Sequence, residues 1–346
     1  MKAPSVDTQQ KHVSSEDLIR EPLDLGPHVV ILGAGASRAA FLTGDAKGNL
    51  LPVMEDFVAV VGLAPLLQSH GILFEARNFE AIYADLCEDP EKTSLRAELE
   101  SRIRDYFSAI ELPQTVTLYD RLLLSLRPKD AVLTFNWDPL LLDAWLRNQH
   151  LDPPAIYFLH GSIRVRCCPD HPEQWGRFGV CKQCGKPWQP TPLLYPVAEK
   201  DYDANPFIHM HWQAALDLVR EAFTVTVFGY SAPDSDNAAV NLIHEAYLRL
   251  SNRQLEHFEV IDIKNPDALQ DAWARFVPTH HLQIRQTLSD SWLGRYPRRS
   301  CEGILWPMIH AIPAETYKMP DLTELPALHE WVATIRRHER ESSPSL

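Results

Sequence analysis

The chain reads as an α/β protein: a Rossmann-like, doubly wound parallel sheet carrying a small inserted zinc-knuckle module. Three observations predict this. Five short apolar runs alternate with stretches long enough for helices. Each run stops at a small or polar cluster, as buried strands do at their carboxyl ends. Four of the six cysteines crowd into residues 167–184, and six in this length are too few for a disulfide framework.

In chain order, residues 1–26 are polar with no apolar core of signal-peptide length, and are expected to form a flexible N-terminal arm or an appended helix. The five runs are His28–Leu32 before GAGAS, Ala131–Phe135 before NWD, Ile156–Leu159 before HGS, Phe223–Phe228 before GYS, and Phe258–Ile263 before KNPD. Continuous Val/Ile/Leu/Phe runs without alternation suit strands buried on both faces. Helices are expected over Thr93–Phe107, Val116–Ser125, Pro139–Asn148, Pro206–Glu221 and Asp236–Leu250. Helical spacing returns from Leu322 to Arg340. The organisation is therefore an arm (1–26), a main domain (27–300) interrupted by the knuckle at about 163–195, and a C-terminal helical extension (301–346).

Composition excludes several classes. The 346 residues carry 33 basic and 46 acidic side chains, a net charge of −13, which argues against direct nucleic-acid binding. The basic clusters at Arg295–Arg299 and Arg336–Arg340 are short enough to read as solvated charge. No run approaches the roughly 20 apolar residues that cross a bilayer, so no membrane partner is expected and the chain reads as cytoplasmic.

In doubly wound sheets ligands sit outside the carboxyl ends of the strands. Gly33, Gly35 and Ser37, Asn136 and Asp138, His160 and Ser162, Gly229 and Ser231, and Asn265 and Asp267 all fall there. The turn Gly33-Ala34-Gly35 is expected to use positive φ and to bring backbone N–H groups against a phosphate at the start of a helix, although the third glycine of the dinucleotide fingerprint is missing. Arg38 either meets a pyrophosphate or lies on the surface. Asp138 either orients a neighbour or caps the helix that follows, and Asp236 has the composition of a helix N-cap.

Cys168-Pro-Asp-His171 and Cys181-Lys-Gln-Cys184 form two ligand pairs, each spaced so that both side chains face one ion. Two such pairs close the tetrahedral shell of a structural Zn²⁺ site, with no open position for catalysis. Cys167 is an alternative ligand to Cys168 or His171. Cys87 and Cys301, standing alone, are expected to be buried small hydrophobes.

GAGAS (Gly33–Ser37), TFNWD (Thr134–Asp138), LHGS (Leu159–Ser162), the zinc knuckle and FGYS (Phe228–Ser231), in this order, resemble the sirtuin (silent-information-regulator) superfamily over residues 28–267. Protein deacylases of that type carry T-Q-N-I-D, where this chain has Phe135 for the glutamine. Their P-D-F-R segment has its nearest counterpart in Glu55-Asp56-Phe57-Val58, which lacks the arginine, and their G-T-S appears as Gly229-Tyr230-Ser231. T-x-N-[YW]-D, G-Y-S followed by Pro233–Asp236, and the Asn78–Glu80 segment are similar instead to bacterial sirtuin-like NAD⁺ hydrolases of anti-phage defence systems. The knuckle keeps the deacylase alternative open.

The resemblance implies NAD⁺ as substrate and a reaction that replaces nicotinamide at the ribose anomeric carbon. The leaving group is already cationic, so no acid is needed, and the protein must hold the ribose, exclude bulk water and place one activated water. On this reading Asn136 orients the water or a ribose hydroxyl, using both faces of its amide. His160 is the general base. Gly33, Ala34, Gly35, Ser37, Asp138, Gly229, Ser231 and Asn265 bind the dinucleotide. A toxic activity of this kind is expected to be restrained by a partner protein, by homo-oligomerisation or by occlusion of the site by the chain's own termini. The alternatives are an NAD⁺-dependent deacylase or ADP-ribosyltransferase, and a non-catalytic NAD⁺- or ADP-ribose-binding protein.

Overall fold

His28–Leu32 (β1) is buried along its whole length, as a Val/Ile/Leu run flanked on both faces must be. The computed structural model describes residues 12–197, 201–230, 236–248, 257–273 and 281–341. The further strands are Ala131–Thr134 (β2), Ala155–Phe158 (β3), the short Arg166–Cys167 (β4), Trp175–Gly176 (β5) and Gln189–Pro190 (β6), then Thr224–Phe228 (β7), His257–Ile261 (β8) and Leu282–Arg285 (β9). Six of them form one sheet in the order β3-β2-β1-β7-β8-β9, and every neighbouring pair is parallel. The chain builds outward from β1 to β3 and then returns to β1's other side. The strand order thus reverses between β1 and β7, where ligands bind in such sheets.

The helices, in chain order, are Ser15–Arg20 (α1), Ala34–Ala40 (α2), Phe57–Val61 (α3), Ala64–Ser69 (α4), Phe79–Glu88 (α5), Thr93–Ala109 (α6), Leu118–Leu124 (α7), Leu140–Asn148 (α8), Pro206–Glu221 (α9), Asn237–Leu248 (α10), Pro266–Trp273 (α11), Trp292–Arg295 (α12), Ser300–His310 (α13) and Leu325–Glu341 (α14). Local chemistry explains their starts. Thr117 and Asp120 make a reciprocal capping box on α7. Asn205 accepts from Phe207 and Ile208 N–H, with Pro206 at the first helical position of α9. In α6, Leu95, Leu99, Ile103 and Phe107 recur at a spacing of four and are the buried face.

Two expectations change. A sixth strand, β9, follows the five foreseen; its Leu-Gln-Ile-Arg sequence alternates and is only half-buried, as suits a sheet edge. Within the N-terminal segment, the described residues carry an appended helix, Ser15–Arg20. Val13 bridges Ala314, and Leu18 of α1 is completely buried, which contributes about 1.5–3 kcal/mol. The cluster at Arg295–Arg299 is not solvated charge at its end: Arg298 and Arg299 are 3% and 1% exposed. Arg299 donates to Leu18 O (2.9 Å) and Ile19 O (2.7 Å), and both arginines pair with Glu339 of α14 at 2.9 Å. These two side chains tie both ends of the described chain to the main domain. No helix among the described residues is long and apolar enough to cross a membrane.

Candidate functional site

The loops after β1 and β7 meet at the strand-order reversal. Gly33 N–H donates to Phe228 O (3.0 Å) and Gly35 N–H to Gly229 O (2.9 Å). A Cβ on Gly33 would lie 2.5 Å from Gly229 O, and one on Gly229 would lie 2.1 Å from Ala36 N. Close approach is therefore what demands glycine in the β1 turn. Positive φ occurs instead at Gly229 (+60°) and Gly161 (+76°). This corrects the expected phosphate cradle, because the N–H groups of Gly33 and Gly35 are spent on the neighbouring loop. The helix that follows, α2, is only seven residues long.

A cleft of about 790 Å³ opens over this junction. Gly33, Ala34, Gly35, Ser37, Asn136, Asp138, His160 and Gly229 all line it, so eight of the ten residues proposed for catalysis and ligand binding come together. Asn265 does not line it: its side-chain oxygen accepts from Asp267 and Ala268 N–H (2.9 and 3.3 Å) and caps α11. Ser231 lies outside the described residues, as do Pro233–Ser235. Asn78 and Glu80 line the cleft, with Asn78 also capping α5 through Ala81 N–H. Arg38 reaches the cleft but pairs with Asp56 and donates to Leu51 O, which ties the 51–56 segment to α2.

Beneath the cleft floor lies a buried polar network. The Asn136 amide nitrogen donates to Gly33 O (2.9 Å) and Ser37 Oγ (3.0 Å). A carbonyl oxygen only accepts, so this contact fixes which end of the amide points inward. Both amide hydrogens are committed to protein, and Oδ1 is the atom left to a ligand. Asn136 therefore presents one face of its amide rather than both. Ser37 donates to Asp138 Oδ2 (2.6 Å), while Tyr119 Oη lies 2.6 Å from Ser37 Oγ. Asp138 also accepts from Leu140 N–H (3.1 Å), so it both anchors Ser37 and opens α8. Burial pushes the Asp138 carboxyl above the usual range, against the lowering effect of the Ser37 and Leu140 hydrogen bonds.

His160 follows β3 across the cleft wall, 6% exposed. Its ring meets Phe135 edge-on at 4.7 Å, and Phe135 stacks on Tyr230 at 4.5 Å and 9°. Two residues of this centre were not foreseen. Tyr119 is buried behind Asn136 in an apolar helix that carries no sequence signal of polar function. Asp236, read as a helix cap, lines the cleft with its carboxylate 3.8 Å from His160 Nε2. Its signal in the sequence is the Pro233–Asp236 segment that follows GYS.

The knuckle segment carries a three-stranded antiparallel sheet, β5-β4-β6. The ligand atoms of Cys168, His171, Cys181 and Cys184 all lie within 4.8 Å of one another. Cys168 Sγ is 3.5 Å from Cys184 Sγ and 3.6 Å from His171 Nδ1, and Cys181 Sγ is 3.3 Å from that nitrogen. With Zn–S near 2.3 Å and Zn–N near 2.0 Å, the edges of a tetrahedral site are about 3.5–3.8 Å, so the donors fit Zn²⁺. Cys167 is packed into the main hydrophobic core instead, which settles the choice between the adjacent cysteines. The returning chain lies flush on the His160 loop: Leu194 N–H donates to His160 O (3.0 Å), and a Cβ on Gly161 would lie 1.9 Å from Pro192 O.

The fold and this cleft define a Rossmann-like, doubly wound α/β protein with an inserted Cys₃His cluster that fits a metal. No protein-family model and no curated protein matches the chain. Among solved structures, it is similar to a Sir2 enzyme studied for mechanism and regulation (15% identity, 93% of this chain and 96% of that one, TM-score 0.39) and to a Sir2 homologue in complex with NAD (13%, 96% and 97%, TM-score 0.35). It is also similar to Sir2 in complex with an inhibitor, 2′-O-acetyl-ADP-ribose and a deacetylated p53 peptide (15%, 85% and 96%, TM-score 0.34). The fold rests on the order and direction of the six parallel strands.

Proposed function

We propose that the chain is a sirtuin-like NAD⁺ glycohydrolase that releases nicotinamide and ADP-ribose. The observation that carries this reading is the fixed Asn136 amide at the strand-order reversal, its Oδ1 left to a ligand in the cleft that His160 also lines. In the reaction the C1′–N bond breaks and its electron pair neutralises the pyridinium ring. A water oxygen bonds to C1′ and gives up its proton to His160. Asn136 Oδ1 accepts from that water or from a ribose hydroxyl, which places the nucleophile without activating it. The cleft volume lies within the range of small-molecule and cofactor sites. Glu55, Glu80, Asp236 and Asp262 line the cleft against Arg38 and Lys264, so holding an anionic dinucleotide falls mainly to neutral contacts. The sequence motifs support a role in anti-phage NAD⁺ depletion under the control of a partner protein or a second copy.

The second reading, an NAD⁺-dependent deacylase, is favoured by the metal module beside the cleft. Against it, Phe135 replaces the deacylases' glutamine with an apolar wall stacked on Tyr230, and the seam between module and sheet is closed at Gly161–Pro192. Incubation with NAD⁺, with and without an acetyl-lysine peptide, separates the two. A hydrolase forms free ADP-ribose at the same rate in both. Turnover that requires the peptide and matches it one for one would make the chain a deacylase.

A further inference from the structure

The mechanism above leaves unused a carboxylate beside its base. Asp236 lies just ahead of α10, is 6% exposed, and has its Oδ1 3.8 Å from His160 Nε2. Its Oδ2 accepts the Tyr230 hydroxyl at 3.1 Å. Tyr230 is held in turn, its ring stacked on Phe135, which meets His160 edge-on. Phe135 and Tyr230 belong to the strand ends of β2 and β7, so the contacts join three separate parts of the sheet edge around one imidazole.

We propose that Asp236 is a positioning residue for His160: held by Tyr230, it fixes the ring and stabilises the imidazolium that forms when His160 takes the proton of the attacking water. This rests on the glycohydrolase reading. A buried anion beside a base lowers the cost of the cation formed during proton transfer, and it orients the ring before the reaction. Among the described residues, the other titratable groups facing this wall are Glu80, which lines the cleft and whose charge acts on Tyr230, and the phenols Tyr230 and Tyr202, the latter with its ring parallel to His160 at 6.3 Å. Burial, reinforced by the charge of Asp236, holds both phenols far above their usual range, so they stay neutral across the assay range. Asp236 is the carboxylate whose oxygen lies 3.8 Å from the imidazole nitrogen.

The test is Asp236→Asn, which keeps the side chain's size and an acceptor for Tyr230. It lowers kcat by about a hundredfold with KM within about threefold. The acid limb of the kcat profile moves to lower pH, because the imidazolium has lost its anion. Tyr230→Phe, which keeps the ring stack, gives about a tenfold loss with the same direction of shift. A purely structural role would lower kcat without moving the limb, and that result overturns the proposal. The ring titration of His160 in the free protein, assigned by its absence from the spectrum of His160→Gln, needs no turnover. Its midpoint falls in Asp236→Asn. An unchanged midpoint refutes the proposal even if the protein hydrolyses NAD⁺, whereas a protein that consumes no NAD⁺ but shows the shift refutes only the glycohydrolase reading. If Asp236→Asn fails to fold, Tyr230→Phe carries both measurements.

Discussion

Asn136→Asp tests the orientation of the central amide by changing one NH₂ group to an oxygen. Asn136 spends its two hydrogens on Gly33 O and Ser37 Oγ, and Ser37 has already given its own to Asp138. The variant loses both bonds, at about 1 kcal/mol each, and buries a carboxylate oxygen against Gly33 O with no donor between them, at about 1–3 kcal/mol more. A destabilisation of about 3–5 kcal/mol at pH 8 follows. Asn136→Ala loses the bonds without the charge and costs about 2–3 kcal/mol. The introduced carboxyl has its folded-state pKa raised, since both burial and Asp138 oppose its charge. Its penalty is therefore full at high pH and shrinks as the pH falls and the group protonates. Urea denaturation of the three proteins at pH 5 and pH 8, followed by circular dichroism, reads this directly. An Asn136→Asp protein within about 0.5 kcal/mol of wild type at pH 8, or one no less stable than Asn136→Ala, would show that the amide is not oriented as described.

Two further predictions are independent of the reaction. The purified protein carries one zinc per chain by elemental analysis; Cys181→Ser loses it and Cys167→Ser keeps it, whereas zinc retained in Cys181→Ser would refute the ligand set. Glu259, buried between β7 and β9, has its carboxyl pushed by burial from about 4.5 up to about 7, despite the Trp292 N–H and Arg285 beside it. A carboxyl raised on folding favours the folded state when protonated, so stability falls as pH rises from about 4.5 through about 7, by up to about 3 kcal/mol. Glu259→Gln removes that slope in denaturation midpoints, and an unchanged slope would show that another group causes it.

The parts of the fold legible in the sequence were those where one residue type has one physical use. The runs at His28–Leu32 and Phe223–Phe228 are apolar throughout because both faces of β1 and β7 are covered. The paired Cys-x₂-His and Cys-x₂-Cys spacings have few readings other than a metal site. The β9 strand is not legible in the sequence because an edge strand needs no continuous apolar run. The buried arginines at 298 and 299 looked like surface charge because their partners, Glu339 and the α1 carbonyls, lie far away in the chain. Asp236 and Tyr119 were hidden for a related reason: an aspartate before a helix and a tyrosine in an apolar helix have common structural uses. Only the folded sheet edge brings them beside His160 and Asn136. Asn265 shows the converse, a polar residue at a strand end whose hydrogen bonds are all local.

The central claim is that the cleft hydrolyses NAD⁺ through Asn136 and His160. Its most direct test is quantitative product analysis of NAD⁺ incubated with wild type, Asn136→Ala and His160→Ala, each checked for folding. The account predicts nicotinamide and free ADP-ribose in equal amounts from wild type, and at least a hundredfold less (about 10²) from either variant. Wild-type rates from both variants, or bound ADP-ribose with no NAD⁺ consumed by wild type, would contradict it.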